Sequence, residues 1–100
     1  MKKIALLGAT GSVGSQAIDV IRARGYQLEM ISANKDVITT EALAREFSPI
    51  FVAMADTDAA ADLKVRLRDT SVKILSGADG ITDAIRALEK CTVEIGRAHV

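Results

Sequence analysis

The 100-residue chain has one cysteine, one histidine, one proline and no tryptophan. A lone cysteine, Cys91, cannot close an internal disulfide and fits a reducing, cytoplasmic compartment. No cluster of cysteine and histidine exists to hold zinc. Two phenylalanines and one tyrosine leave the core to aliphatic side chains. Lys+Arg and Asp+Glu both number 13, so the chain lacks the basic surplus of a nucleic-acid binder. Apolar runs last only a few residues, too short to span a membrane. The first of them is broken by Gly8, Thr10, Gly11 and Ser12 before it could serve as the core of a signal peptide. What remains, 49% hydrophobic and 26% charged, is the balance of one soluble globular domain.

Strand-like apolar runs alternate with stretches of helical period from end to end. Residues 3–7 (KIALL), 27–32 (QLEMIS), 50–55 (IFVAMA) and 72–75 (VKIL) read as buried strands, and helices are predicted over 13–24, 37–47, 57–68 and 79–90. The expected inner stripes are Val13, Ala17, Val20 and Ile21, then Ile38, Ala42, Leu43 and Phe47, then Ala59, Ala60, Leu63 and Leu67. The last and cleanest is Ile81, Ala84, Ile85 and Leu88. Ser12 is the expected N-cap of the first helix and Gly25 its C′ residue. Pro49 stops the second helix, and Asp56 or Thr57 caps the third. The β-α rhythm implies an α/β fold, a Rossmann-like doubly wound parallel sheet truncated after the fourth βα unit. With strands ordered 4-3-2-1, the first would lie at an exposed edge, an aggregation hazard. The isolated chain is therefore expected to be marginal or self-associating.

The informative stretch is Gly8-Ala9-Thr10-Gly11-Ser12-Val13-Gly14. It follows a predicted strand and opens a predicted helix, the setting a dinucleotide fingerprint requires. Gly8 and Gly11 allow a sharp turn and close approach of backbone N–H groups to a pyrophosphate, and Gly14 lets the helix pack closely on the first strand. The helix N-terminus adds unpaired donors and partial positive charge, and Thr10 and Ser12 add hydroxyls. The spacing is GxxGxxG rather than the stricter GxGxxG. The end of the second strand selects between cofactors. NAD-preferring sites carry an acid there for the ribose 2′-OH. Here Ser32 and Ala33 stand in its place, followed by Asn34-Lys35-Asp36. Lys35 would attract a 2′-phosphate, which points to NADPH; Asp36 either neutralises Lys35 or caps the next helix.

Other residues are assigned bland roles. Glu29, within the second strand, is placed at the surface or an edge. Lys64, Arg66, Arg68 and Asp69 form a solvated helix face, and Met30 and Met54 fill the core. Cys91 has no neighbouring base and is not a nucleophile. No triad, carboxylate pair or metal cluster can be assembled, so no catalytic or metal-ligating residue is assigned.

The run GATGSVG with Ile18-Asp19-Val20 resembles the start of the 1-deoxy-D-xylulose 5-phosphate reductoisomerase family. Three later segments keep that family's order: ISANKDV, LAREFSPIFVAMAD and VKILSG. The resemblance covers about residues 1–90. It implies an enzyme of non-mevalonate isoprenoid biosynthesis, both oxidoreductase and isomerase. Such an enzyme rearranges 1-deoxy-D-xylulose 5-phosphate and reduces the resulting aldehyde with NADPH to 2-C-methyl-D-erythritol 4-phosphate. A divalent Mg or Mn ion assists, and the enzyme is a homodimer. By motif position, Thr10, Gly11, Ser12 and Val13 would line the NADPH phosphates, and Asn34, Lys35 and Asp36 would take the adenosine 2′-phosphate. The family's usual Gly-Lys/Arg-Asn reads Asn34-Lys35-Asp36 here, with the basic residue kept. The resemblance places the metal carboxylates, the substrate-phosphate residues and the active-site loop beyond this chain, so the fragment alone is expected to be inactive.

Ile95–Val100 (IGRAHV) resembles the translation of one reading frame of a sequencing-library adapter. The expected division is therefore a partial NADPH-binding domain over 1–94 and a non-native tail over 95–100. Two other functions stay open. One is a different NADP-linked reductase with a GATGxxG turn, of semialdehyde dehydrogenase type; the other is an NADP(H)-binding module without turnover.

Overall fold

The structure, a computed structural model, describes residues 3–9, 12–77, 80, 82–83, 86 and 94–97, with the side chains of 12, 13 and 94–97 outside that set. Its elements are β1 (Lys3–Leu7), α1 (Ser12–Arg24), β2 (Gln27–Ala33), α2 (Val37–Phe47), β3 (Phe51–Met54), α3 (Thr57–Arg66), β4 (Lys73–Ser76) and β5 (Glu94–Arg97). The expected helix over 79–90 falls largely outside the described residues, and its stripe Ile81, Ala84, Ile85 and Leu88 wholly so, as do Cys91 and His99. Among the described residues no helix is long and apolar enough to cross a membrane.

The helix ends follow local chemistry. Gly25, at φ 67°, ends α1 in a left-handed turn. Its N–H donates to Arg22 O at 3.3 Å, and Tyr26 N–H donates to Ile21 O at 3.1 Å. That pair of bonds is a Schellman motif, as expected of glycine at C′. Asp36 caps α2 by accepting from Thr39 N–H, and Asp56 caps α3 by accepting from Ala59 N–H, both at 3.1 Å. Ser48, at φ 47°, closes α2 just before Pro49. Ser12, the expected cap of α1, is instead its first helical residue.

All five strands run parallel in the order β4-β3-β2-β1-β5. The expectation of an exposed first strand is thereby overturned. β1 lies inside the sheet, with Ile4, Ala5, Leu6 and Leu7 paired to Glu94, Ile95, Gly96 and Arg97. A parallel ladder is made by backbone N–H and C=O groups, so the slot beside β1 can be filled without a particular side-chain pattern.

One face of the sheet carries α1, α2 and α3 over a continuous core that includes Leu6, Ile18, Ile21, Leu28, Ile31 and Leu63. The other face presents Ala5, Met30 and Ala53, packed with Leu7, Phe51 and Leu75. Gly80 returns close to Leu75, where an added Cβ would sit 3.0 Å from that side chain. Burying each large aliphatic side chain stabilises by about 1.5–3 kcal/mol. Met30 and Met54 are fully buried, as expected of core fillers.

Three expected faces shift. In α1, Val20 is exposed and Ile18 takes its place inside. In α2, Ile38 is 66% exposed and Ala42 is also outside, while Thr40, Leu43 and Ala44 are buried. Thr40 tolerates burial because its hydroxyl donates to Asp36 O at 2.6 Å. The α3 stripe of Ala59, Ala60, Leu63 and Leu67 is buried as expected. In β2 the register to β1 jumps from Leu28 to Met30, leaving Glu29 as the extra residue of a bulge. The bulge turns Leu28 and Ile31 to the same face. It also overturns the surface assignment of Glu29, which is 4% exposed in a strand flanked by β1 and β3. Among the described residues, no fully buried side-chain nitrogen or oxygen lacks a hydrogen-bond partner.

Candidate functional site

Three strand-to-helix connections leave the same edge of the sheet, at the carboxyl ends of β1, β2 and β3. The first N–H groups of any α-helix have no acceptor within the helix. At α2 and α3 an aspartate from the chain itself accepts one of them. At α1 the first turn holds no acidic residue, and the residue before it, Gly11, has no side chain to offer. Among α1, α2 and α3, only α1 thus begins without a carboxylate of its own. Its positive end is the one suited to an external anion.

The glycines there have distinct geometric reasons. Gly8 sits at φ 76°, a conformation other L-residues rarely adopt. Gly14 presses α1 against the turn: a Cβ on it would lie 2.3 Å from Gly8 O and 2.6 Å from both Ala9 C and Ala9 O. These obstacles are backbone and cannot swing aside. Close packing at Gly14 is as expected, but its surface is the Gly8-Ala9 turn just after β1 rather than the strand itself.

The turn is also tied sideways to β2. Gly8 N–H is shared between Ser32 Oγ at 3.0 Å and Ser32 O at 3.1 Å, and Ala9 N–H donates to Ser32 O at 2.9 Å. The Gly8 and Ala9 N–H groups are therefore committed to β2. Among the described residues, the N–H groups left without a helical acceptor at this turn are those opening α1. Ser32 was legible in the sequence only as the residue standing where an acid would be. Its small hydroxyl, opposite a glycine turn one strand away, was the available signal.

Of the expected phosphate-lining residues, Thr10 and Gly11 lie outside the described residues, and Ser12 and Val13 are the first two of α1. Asn34, Lys35 and Asp36 follow β2 and are exposed. Because β1 and β2 are adjacent, with Leu6 beside Ile31, both groups emerge at one edge of the sheet. The choice left open for Asp36 falls to capping, since its carboxylate accepts from Thr39 N–H. Asn34 O accepts from Asp56 N–H at 3.0 Å, which anchors the loop that carries Lys35.

The sheet order adds what the sequence did not supply. The chain steps outward from β1 through β2 and β3 to β4, then returns to place β5 on the other side of β1. The connections therefore diverge at β1, and ligands of open α/β sheets bind outside the carboxyl ends of strands at such a point. A cleft of about 190 Å³ between α1 and α2 adjoins the turn, lined by Ala9, Ser15, Ile18, Asp19, Arg22, Thr39 and Leu43. Another, of about 180 Å³, lies between α3 and β4, remote from the glycines.

Ion pairs fasten the helices behind the mouth. Arg22 grips Glu46 in two bonds, of 2.6 and 2.7 Å, and lies 5.8 Å from the Phe47 ring centroid. The hydrogen bond to Glu46 raises the Arg22 pKa, and the same bond holds the Glu46 carboxyl below its ordinary range. Arg45 reaches Asp69 at 3.1 Å, and Arg66 reaches Glu41 at 3.3 Å. Arg66 and Asp69 are exposed as expected, yet they connect α2 to α3 and the segment after it.

A family model described as 1-deoxy-D-xylulose 5-phosphate reductoisomerase matches residues 4–96. The reductoisomerase of Agathobacter rectalis is 38% identical over 96 residues, covering 95% of this chain and 25% of that protein. That of Geobacillus sp. is 41% identical over 86 residues, covering 84% and 22%. The solved reductoisomerase of Zymomonas mobilis in complex with NADPH superimposes with a TM-score of 0.77 at 32% identity, covering 83% of this chain and 22% of that one. A DOX-P reductoisomerase solved with fosmidomycin and magnesium gives a TM-score of 0.82 at 29% identity, over 95% and 24%. The chain thus spans about a quarter of the length of these relatives. With a parallel α/β sheet, a glycine turn at its divergence point and a sequence match through residue 96, the chain belongs to the 1-deoxy-D-xylulose 5-phosphate reductoisomerase family.

Proposed function

We propose that this chain is the NADPH-binding portion of a 1-deoxy-D-xylulose 5-phosphate reductoisomerase. The observation that carries the reading is the contrast at the sheet edge: α2 and α3 are capped by their own aspartates, whereas α1 opens behind a glycine turn with no acid. Solved relatives bound to NADPH support it. The first N–H groups of α1, with Thr10, Gly11, Ser12 and Val13, hold the pyrophosphate. Lys35, with Asn34 beside it, attracts the 2′-phosphate, and Asp36 keeps α2 in place beneath them. Bound there, NADPH supplies hydride for the reduction that yields 2-C-methyl-D-erythritol 4-phosphate.

This chain's share of the work is to bind and orient. Among the described residues no three His, Cys, Asp or Glu side chains gather to hold a metal ion. They do not fit the magnesium found in relatives. The phosphorylated sugar and the catalytic groups belong to the remainder of the parent enzyme, which we place in the cytoplasm as a homodimer by its family. We further propose that the natural domain runs over 1–94 and that 95–100 are non-native, with Ile95–Arg97 occupying the strand slot beside β1. Codons for 95–100 that fail to match the adapter would remove that last proposal.

Titration of the chain with NADPH and NADH tests the cofactor assignment. NADPH is expected to bind about tenfold tighter, and Lys35→Gln to cut that preference by about threefold or more, less at high salt. Equal affinity for both, or none for either, overturns it.

A further inference from the structure

We infer that Ser32 is a positioning residue for cofactor binding: its hydroxyl holds the glycine turn in the shape that leaves the α1 N-terminus open. The inference rests on the NADPH reading above and adds a residue that touches no cofactor.

Ser32 is 6% exposed at the carboxyl end of β2, one strand from the turn. Its Oγ accepts from Gly8 N–H at 3.0 Å, and its carbonyl accepts from both Gly8 and Ala9 N–H. Gly8 is the residue with positive φ from which the chain bends toward α1. Gly14 in turn rests on Gly8 O and Ala9. The path from Ser32 to the α1 N-terminus is therefore two contacts long: hydroxyl to Gly8 amide, and Gly8-Ala9 backbone to Gly14. Moving the turn by a few tenths of an ångström moves the helix end that meets the phosphates.

The β3–α3 connection supplies a comparison. There Ala55 and Asp56 N–H groups donate to the carbonyls of Ala33 and Asn34 at 2.9 and 3.0 Å. Carbonyl tethers thus suffice where the helix caps itself. The added side-chain acceptor occurs at the connection that must stay open. Ser32 also explains how an acid can be absent from the end of β2. Its side chain faces the turn, so selection of the adenosine end falls to the loop after it.

The test uses the full chain with Ser32→Ala, Ser32→Thr and, as a remote packing control, Leu67→Val. NADPH affinity is read from nicotinamide fluorescence, stability from thermal melts, and the Gly8 amide from hydrogen exchange by NMR. In Ser32→Ala the Gly8 amide keeps the Ser32 carbonyl, so the loss is modest: affinity weaker by about three- to tenfold and Gly8 exchange faster by a similar factor. Ser32→Thr, which keeps the hydroxyl, restores both to within about twofold. Leu67→Val lowers the melting temperature without moving affinity or Gly8 exchange. Unchanged affinity in Ser32→Ala overturns the proposal, as does an equal loss in Leu67→Val at matched stability. If the unaltered chain binds no NADPH, the cofactor reading fails on its own, and the proposal is then judged by exchange: unchanged Gly8 protection in Ser32→Ala overturns it.

Discussion

The β1–α1 and β3–α3 connections begin alike. In each, two backbone N–H groups just past the strand donate to carbonyls at or just after the end of β2. After that they part. The third connection ends in Asp56, whose carboxylate satisfies Ala59 N–H, and Asp58 follows within the first turn of α3. The first ends in Gly11 and meets no acid in the first turn of α1. One unit supplies the negative charge that its helix end favours; the other withholds it. A helix end suited to an anion arises here from omission in a repeated architecture, at the strand where the connections diverge to either side.

The comparison can be broken most forcefully at Gly14. Gly14→Ala drives a methyl group into the backbone of Gly8 and Ala9, which cannot move without dragging β1. A loss of about 3 kcal/mol of stability is expected, at the upper end of overpacking costs, with NADPH binding lost. Gly25→Ala meets nothing within 4 Å and bears only the cost of its left-handed φ, about 1 kcal/mol. Equilibrium urea unfolding of both variants distinguishes clash from conformational strain.

A subtler break exchanges the two solutions. Gly11→Asp would give α1 the acid that α3 already has, and its carboxylate would compete with phosphate for the same donors. NADPH affinity is expected to fall by about tenfold or more, measured by fluorescence titration. Asp56→Ala should cost about 1 kcal/mol of stability from the lost cap while leaving NADPH affinity within about twofold. Tighter NADPH binding in Gly11→Asp would contradict the withheld-charge account.

The smallest effect concerns the ion pairs behind the mouth. Arg22 depresses the Glu46 pKa and Arg45 depresses that of Asp69, in each case first through a side-chain hydrogen bond. Carboxyls with lowered folded-state pKa stabilise above their unfolded values of about 4, and that contribution fades as pH falls through the folded values. All of these groups are exposed, so the effect is small and screened by salt. Thermal melts from neutral to acid pH should fall less steeply in Arg22→Gln and Arg45→Gln than in the unaltered chain. Parallel curves would mean the pairs contribute nothing measurable.

Much of the architecture could be read from residue order. KIALL spans β1, the α2 boundaries match the expected ones, and Asp56 and Gly25 perform their caps. These features depend on neighbours close in sequence, which a linear reading can see. The faces were harder. Ile38 fits a helical stripe by spacing, but α2 is rotated so that Thr40 lies inside, its hydroxyl satisfied by Asp36. Glu29 reads as a surface residue until the bulge shifts β2 against β1. Ser32 looks like a missing acid until the turn it holds is seen.

Local chemistry alone, carried in residue type and spacing, settles the alternation of strands and helices, the glycine turn and the family resemblance. Packing in three dimensions settles which side chains are buried, which amides remain for a ligand and that β1 is an inner strand. The reason is that hydrogen bonds and steric limits within a few residues act on any chain with that segment. Register, helix rotation and strand order depend on partners tens of residues away, whose positions no local rule contains.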